Sequence, residues 1–488
     1  MEPDSSTPKS SAADAPAPGW SWCLGGRDAR RRLELATLAQ VAGLVVFTAW
    51  DFGGETDVAR GFIEWWGSLA LLITAGVCLH RVADHNQLPS ALRWLWPLAL
   101  FDGLALAACL NPSFRLAVVG GADAFVLGGA RDWWPSCARP GPALHHLWQF
   151  NAIYLSCFNL ALVVVHRRLL RALLFLMVVN ALLLAVFGTF QKLAGSPGLF
   201  FGAQRSPNLS FFASFIYRNH WGAFMTLAVA AALGLVFHHA RPEARGDRRH
   251  SPVWFGLVAV LFMAAAVPLS GSRSGAVLVL LLLLGAFLGW LRQLGRARRR
   301  GGPPRARAAA AGALALLIAL GGIVVLSRPV IEQRAADTRG QLEQIQRQGG
   351  LGSRAMLYGD TWRMAREKIW FGWGLGSYAT VFQLFNRQVA VERWVPFYAA
   401  AHSDWLQALA ETGVVGALCL LLAGAVPLAS LRGLGRPREL TACLLAGCGL
   451  VALYAAVEFP LANPAVLEAF WLGLFTAVRY QKLSAAAA

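Results

Sequence analysis

The sequence predicts an all-α polytopic membrane protein with about 12 transmembrane helices and a large helical loop before the tenth span. Hydrophobic residues occupy 56% of the 488 positions, and charged residues occupy only 14%. Soluble domains carry roughly one quarter charged residues, so this composition argues against a soluble protein. Apolar runs of about 20 residues recur along the chain, and a helix of that length crosses the hydrocarbon core of a bilayer.

The apolar runs locate the candidate spans. They lie near residues 33–50, 62–81, 91–110, 147–166, 170–190, 220–239, 253–269, 275–292, 309–326, 413–431, 439–457 and 465–480. Residues 1–26 are rich in Ser, Pro and Ala, and no apolar stretch follows the first Met directly, which predicts a disordered cytoplasmic tail rather than a signal peptide. Spans 1–9 then fall within residues 27–326, spans 10–12 within 404–482, and residues 483–488 form a cytoplasmic C-terminus.

Membrane orientation explains the net charge of +18 better than a nucleic-acid partner does. Most arginines lie in short connections between spans, such as residues 241–249 and 292–307, and positively charged connections stay in the cytoplasm. The same rule places both termini on the cytoplasmic side. No recognition helix or aromatic-plus-basic strand pattern accompanies these arginines, so we expect no nucleic-acid binding.

Residues 327–403 form a predicted loop on the outer side that is too long for a plain turn. Two of its segments, "RAADTRGQLEQIQRQ" and "SRAMLYGDTWRMAREKIWFG", have helical character, and the second is amphipathic. Such a helix suits the membrane surface or a lid over a site. Gly372, Gly374 and Gly376 follow, and we expect a flexible hinge there rather than a nucleotide-binding turn.

Three polar clusters lie at the outer ends of predicted spans: "YRNHWG" (217–222), "SGSRSG" (270–275) and "AHSDWLQALAETG" (401–413). Arg218 and Arg273 are the most informative members, because a charged residue at the end of a span needs water, a partner or a substrate. The arginine fork suits phosphate oxygens at two points at once. We therefore predict that both arginines bind a pyrophosphate group.

His402 is the candidate general base. Asp404, followed by Gln407, is the predicted N-cap of a short helix over residues 405–411. The positive end of that helix favours a neutral imidazole, which can accept a proton from a sugar hydroxyl. His220 competes for the same role, and it can instead orient Arg218 or contact the substrate.

The other polar residues of the three clusters are candidates for substrate contact or for support of the site. They are Asn219, His220, Ser272, Ser274, Asp404 and Glu411. Glu411 is expected to support rather than to react, and Asp51, Glu55 and Asp57 are expected in a solvated loop. The eight cysteines are scattered without metal-ligand spacing, so we predict neither a disulfide framework nor a metal or cofactor, and metal-independent chemistry.

Five segments in order resemble the O-antigen ligase family of bacterial envelope glycosyltransferases, which includes O-antigen polymerases and protein O-oligosaccharyltransferases. The segments are "YRNHWGAF", "SGSRSG", "SRAMLYGDTWRMAREKIWFGWGLGSY", "AHSDWLQALAETGVVGAL" and "EFPLANPA". The early "DFGGETD" is also similar to a landmark of that family. The resemblance covers residues 206–470 well and the first 200 residues loosely. Two small departures are Glu458, where aspartate is common, and Ser274, where glycine often follows the arginine.

The resemblance implies a multi-pass protein of the bacterial inner membrane whose large loop and active site face the periplasm. It implies transfer of a glycan from undecaprenyl pyrophosphate to a lipid A core or another glycan acceptor, with Arg218 and Arg273 on the pyrophosphate and His402 activating the acceptor. We favour a ligase. A polymerase with the same donor and a protein acceptor stay open within this class. A transporter that flips lipid-linked glycans is the alternative from another class.

Overall fold

The computed structural model consists almost entirely of helices, and it describes residues 26–83, 89–131, 133–240, 252–299, 321, 353–387 and 397–487. In chain order the helices are α1 (Gly26–Trp50), α2 (Asp57–Ala83), α3 (Trp96–Cys109), α4 (Pro140–Val163), α5 (Arg167–Leu193), α6 (Arg218–His239), α7 (Pro252–Leu269), α8 (Arg273–Arg299), α9 (Ser353–Glu367), α10 (Tyr378–Val381), α11 (Asp404–Ala429), α12 (Glu439–Tyr454) and α13 (Pro464–Ala485). Short 3-10 turns lie in the connections at Phe52–Gly54, Ser90–Leu95, Phe200–Gly202, Phe382–Leu384 and Pro460–Ala462.

The long helices coincide with the predicted spans. Among the described residues, eight segments are long and apolar enough to cross a membrane; they are Arg31–Trp50, Asp57–Cys78, Ser90–Cys109, Arg167–Leu193, Arg218–His239, Pro252–Leu269, Arg273–Arg296 and Asp404–Ala429. The shorter apolar helix α12, together with α4 and α13, occupies the positions of three further predicted spans. The predicted span 309–326 lies outside the described residues, apart from Gly321. These helices agree with a polytopic all-α membrane protein.

A small β-hairpin departs from the all-α prediction. Strand β1 (Phe114–Val119) pairs antiparallel with β2 (Ala122–Leu127), with Val119 opposite Ala122. Gly120 and Gly121 form the two-residue turn at φ 60° and 83°, the positive values that tight hairpin turns require. The local signal was therefore present as Gly-Gly between two short, largely apolar runs in the connection between α3 and α4.

Helix α6 lies at the centre of the bundle. Of the most apolar stretch of this helix, 94% is buried inside the protein. The helix packs against α5, α7, α8, α12 and α13. Small residues permit this close packing, because Gly234 lies against Leu440 and Gly447 lies against Ala230. In contrast, only about a third of α7, α8 and α11 is buried, so most of their apolar surface faces outward, as expected for lipid contact.

Helix α11 begins one residue away from its predicted cap and runs much further. Ser403, not Asp404, is the N-cap, because the Ser403 side chain accepts the backbone N–H of Leu406 at 3.3 Å. The predicted short helix 405–411 is the first part of α11, separated from the rest by a break at Gly413 (φ 65°). The N-cap prediction was wrong because serine and aspartate are adjacent and both make good caps. The local sequence cannot rank them.

Candidate active site

The first turns of α6 and α8 meet at two glycines. A Cβ atom on Gly275 would lie 2.7 Å from the Cα of Gly222, so the two backbones touch where neither residue has a side chain. Beside this contact, the Ser272 hydroxyl donates to the Asn219 side-chain oxygen at 2.9 Å. The clusters "YRNHWG" and "SGSRSG", 53 residues apart in sequence at this bond, therefore form one surface.

Arg218 and Arg273 are the first residues of these two touching helices. Arg218 is half-buried, and one of its guanidinium nitrogens donates to the Ser210 hydroxyl at 2.7 Å, whereas Arg273 is exposed. Each arginine adds a full positive charge to a helix N-terminus, where backbone N–H groups and the helix dipole already favour an anion. This end of the bundle is therefore suited to a multiply charged anion such as pyrophosphate.

Glu458, between α12 and α13, joins these helices to the rest of the site. Its side chain is 4% exposed. One of its carboxylate oxygens, Oε1, accepts from Arg354 at 2.5 Å, from Asn219 at 3.0 Å and from Tyr217 at 3.4 Å. The other, Oε2, lies 3.8 Å from Nδ1 of His402. One buried carboxylate thus links α6, α9 and the segment before α11.

Glu458 is ionised at neutral pH. Burial by itself raises the pKa of this carboxyl, but the nearby imidazole of His402 and the charge and hydrogen bond of Arg354 lower it by more. The resulting pKa lies below the ordinary value of 4.5. A negative charge is therefore held beside Nδ1 of His402, which favours the form of the ring that carries a proton on that nitrogen.

His402 lies at the entrance to α11 in an unusual backbone conformation. Its φ is 52°, in the left-handed region that residues other than glycine rarely adopt. Its side chain is 29% exposed, and its ring packs edge-to-face on Phe459 with centroids 4.5 Å apart. The hydroxyl of Tyr358 on α9 donates to the carbonyls of His402 and Val457, both at 3.0 Å. Helix α9 thus lies over the site and ties its two sides together.

His220 pairs with a carboxylate that was expected in solvent. Its Nδ1 lies 2.8 Å from Oε1 of Glu55, and the same oxygen accepts from the Asn463 amide at 2.8 Å. Burial by itself raises the pKa of the Glu55 carboxyl. The hydrogen bond and charge of His220 contribute to a larger opposite effect, so the pKa lies below its ordinary value. The solvated-loop expectation was wrong for Glu55. The connection after α1 folds back against α6 and α13.

The remaining predicted residues hold the scaffold. The Asp404 carboxylate accepts the backbone N–H of Leu461 at 2.8 Å, and the Ser274 hydroxyl lies 2.5 Å from the Tyr454 hydroxyl. Glu411 is buried and accepts the backbone N–H groups of Gly376 at 2.9 Å and Tyr378 at 3.0 Å. Glu411 therefore supports the segment around Gly376 and Tyr378.

The three glycines of "FGWGLGSY" are sites of close backbone packing rather than a hinge. All three have positive φ. A Cβ atom would lie 2.3 Å from the Glu411 backbone at Gly372, 2.5 Å from the Cys137 Cα at Gly374, and 2.3 Å from the His146 ring at Gly376. The hinge prediction was wrong because a glycine needed for close approach and one needed for flexibility look alike in sequence.

Sequence reasoning gave no role to Glu458, Arg354, Glu55 or Tyr217. Two weak signals were available, an acidic residue at the outer end of an apolar run and a basic residue in the first turn of the amphipathic helix. The pairing of Arg354 with Glu458, 104 residues apart, appears only after folding. Among the described residues, no group of three or more His, Cys, Asp or Glu side chains is arranged to hold a metal ion.

Residues 258–421 match the protein family described as O-antigen ligase. This segment, about a third of the chain, is similar to the O-antigen ligase family. The match includes Arg273, the long loop, His402 and the first part of α11, and it confirms the resemblance found in the sequence segments. The family indicates a membrane glycosyltransferase of the O-antigen ligase or polymerase type. A comparison with curated proteins returns no match.

Proposed function

We propose that this chain transfers a glycan from undecaprenyl pyrophosphate to an acceptor hydroxyl at the periplasmic face of the inner membrane. The observation that carries the proposal is the network around Glu458: Asn219 and His402 lie against its carboxylate, and Ser272 reaches it through a hydrogen bond to Asn219. The helix that Arg218 begins contributes Asn219 to this network, and Nδ1 of His402 faces the same buried carboxylate, which supports an anion-binding end next to a proton acceptor. A phosphate-binding end and a proton acceptor are the two parts that such a transfer needs.

Arg218 and Arg273 bind the pyrophosphate of the donor at headgroup depth. Negative charge grows on that group as it leaves, so the two guanidinium groups stabilise the transition state more than the bound donor. Arg354 is half-exposed and places a third guanidinium at the same end of the bundle. With these cations in place, the leaving group is neutralised by this chain's own residues.

His402 acts as the general base. Glu458 accepts a hydrogen bond from the Nδ1–H group of His402 once their present separation of 3.8 Å shortens. The lone pair of Nε2 is then available to the acceptor hydroxyl. The acceptor oxygen bonds to the anomeric carbon as the bond from that carbon to the pyrophosphate oxygen breaks. The hydroxyl proton passes to Nε2, and the electron pair leaves with the pyrophosphate. Single displacement inverts the anomeric configuration.

Lipid A core is the acceptor we favour, in keeping with a ligase. A second lipid-linked glycan as acceptor would make the protein a polymerase with the same machinery. Purified protein incubated with a labelled undecaprenyl-pyrophosphate glycan, each acceptor in turn and a chelator separates these cases by the mass of the product. Flipping of the donor across vesicles without any transfer would overturn the glycosyltransferase proposal and support a transporter.

Replacement of Arg273 by Lys tests the arginine clamp. The charge is retained but the forked contact is lost, so we expect transfer to fall about 10-fold with folding unchanged. Arg292→Lys, at an exposed position near the other end of α8, is the matched control and should transfer normally. Full activity of Arg273→Lys in the same assay would contradict the two-point phosphate contact.

A further inference from the structure

Two cysteines far apart in sequence meet at the outer end of the bundle. Cys109 is the last residue of α3, and Cys137 lies in the connection that returns from the β-hairpin to α4. The Cys109 side chain packs against the small buried cluster of Ala108, Cys137 and Ala143, and its Sγ lies 3.9 Å from the carbonyl oxygen of Pro140, three residues after Cys137. A disulfide joins cysteines whose Cα atoms lie about 4.4–6.8 Å apart, a range that packing in one side-chain cluster brings within reach.

Backbone hydrogen bonds hold this pair in register. The N–H of Cys137 donates to the carbonyl of Asn111 at 3.3 Å, and the N–H of Ser113 donates to the carbonyl of Cys137 at 2.9 Å. Cys137 is fully buried, whereas Cys109 is partly exposed. The partly exposed thiol is the one that an external reagent can reach, and the buried thiol is placed to react with it next.

The other described cysteines have different surroundings. They lie inside helices α2, α4, α11 and α12, at Cys78, Cys157, Cys419, Cys443 and Cys448. Cysteines within apolar helices behave as small hydrophobic residues. Among the described cysteines, Cys109 and Cys137 are the two that combine packing in one cluster with positions at a helix end and in a connection. The periplasm is an oxidising compartment, and the orientation that exposes this end of the bundle to it is part of the proposed function.

We propose that Cys109 and Cys137 form a structural disulfide that closes the connection 110–136 and its β-hairpin onto the end of α3. The Cys109 thiolate attacks the disulfide of an envelope thiol oxidant and forms a mixed disulfide with it. The Cys137 thiolate then attacks the Cys109 sulfur and releases the oxidant as a dithiol. The two cysteines lose two protons and two electrons in total, and the oxidant's disulfide gains the electrons.

The disulfide braces a wall of the candidate active site. Gly374 packs directly on Cys137, and the backbone N–H of Ala138 donates to the carbonyl of Trp373 at 2.8 Å. The backbone N–H of Gly374 in turn donates to the carbonyl of Glu411 on α11 at 2.8 Å. The covalent link therefore extends support from α3 to the helix that His402 precedes.

Differential alkylation of the full-length protein tests the proposal without any transfer assay. Cells are lysed in a denaturant that contains N-ethylmaleimide, so that buried free thiols react as well, and the protein is then reduced, treated with a heavy maleimide and digested for mass spectrometry. We expect Cys109 and Cys137 to carry only the heavy reagent, with Cys419 and Cys448 carrying the light one as internal controls. In Cys109→Ser, Cys137 should switch to the light reagent.

Light reagent on both Cys109 and Cys137 in the wild-type protein would overturn the proposal. Oxidation of purified, reduced protein with oxidised glutathione then shows which premise failed. If both thiols are lost together in that step, the two cysteines are close enough to form a disulfide, and the periplasmic orientation is the premise that failed. If both thiols persist, the cysteines are too far apart to form a disulfide. A wild-type protein with the disulfide and no glycan transfer would leave this inference standing while the proposed function fails.

Discussion

His402 combines a strained backbone with a polar environment. A residue other than glycine in the left-handed region costs about 1–3 kcal/mol, and such strain persists where the surrounding contacts impose it. The Tyr358 hydroxyl on the His402 carbonyl and the Ser403 cap of α11 are those contacts. The strain aims the imidazole toward Glu458 and Phe459 instead of along the helix.

His402→Asn removes the base and retains the backbone, because asparagine tolerates the left-handed region better than most residues. We expect transfer to fall by about 100-fold or more, the usual contribution of a general base, with an unchanged Tm. The donor-transfer assay and a thermal melt in detergent measure the two quantities. Transfer within a few-fold of wild type would remove His402 as the base and make His220 the next residue to test.

Glu458→Gln tests the buried carboxylate through pH. The pKa of Glu458 is lowered in the folded protein, so its contribution to stability is fully present above about pH 4.5 and disappears as the pH falls through the lower folded value. We expect Glu458→Gln to have a lower Tm than the wild type at neutral pH. On acidification, the Tm of the variant should decrease less than the Tm of the wild type. Transfer should fall as well, because Arg354 loses its charged partner and His402 loses the neighbouring charge.

Glu367→Gln is the matched control for this prediction, since Glu367 is exposed on α9. It should follow the wild-type melting curve and transfer rate at every pH. Equal acid sensitivity in Glu458→Gln and wild type would show that the carboxylate of Glu458 does not contribute to stability in the way that its contacts imply.

At the scale of elements, the site depends on the contact between α6 and α8. Gly222 and Gly275 let the backbones of these helices touch near their N-termini, and the proposed sharing of one anion by Arg218 and Arg273 requires this close approach. A side chain at either position would separate Arg218 from Arg273. The helix ends therefore determine the geometry that the arginines need.

Gly275→Ala should destabilise the protein and impair transfer together. The new Cβ atom would lie 2.7 Å from the Gly222 Cα and 2.9 Å from the Ser272 hydroxyl oxygen, and overpacking of this kind costs about 1–3 kcal/mol. A displacement of about 1 Å at the reacting groups can lower the rate about 100-fold. Tm and transfer rate are the measurements.

Gly285→Ala, also on α8 but with open space around it, is the control and should leave both quantities unchanged or slightly improved. If Gly275→Ala and Gly285→Ala behave alike, the close contact between the two helices is unimportant for the site.

At the scale of the whole molecule, the two ends of the bundle differ in chemistry. The candidate site, residues 353–387 of the long loop and the β-hairpin lie at the end where α3 finishes and α6 begins. Basic connections lie at the other end, for example residues 432–438, where the N–H of Arg438 donates to the Gln481 side chain at 2.9 Å. Positive connections favour the cytoplasm, so this polarity supports a periplasmic site.

Cysteine accessibility tests this orientation. Val118→Cys, on the exposed hairpin, should react with a membrane-impermeant maleimide in cells whose outer membrane is permeabilised. Pro437→Cys, in the exposed connection between α11 and α12, should react only after lysis. The wild-type protein gives the background from native thiols. The reverse pattern would place the candidate site in the cytoplasm and contradict a lipid-linked donor at the outer leaflet.

Much of the architecture was predictable, because a bilayer selects for a local property. Mean apolarity over about 20 residues located the helices at the predicted spans, and the positions of arginine indicated an orientation. The polar clusters at Arg218, Arg273 and His402 were conspicuous for the same reason, since charged groups at the ends of apolar runs need a partner or a substrate.

The sequence alone thus determined the class of the protein, the positions of most helices and the three polar clusters, because each depends on residues close together in the chain. Only the tertiary structure decided that Glu458 joins Asn219, Arg354 and His402, and that Glu55 leaves its loop to pair with His220. These contacts depend on how helices pack against one another. Packing is set by side-chain shapes from distant segments, such as the two glycines between α6 and α8, which no local pattern records.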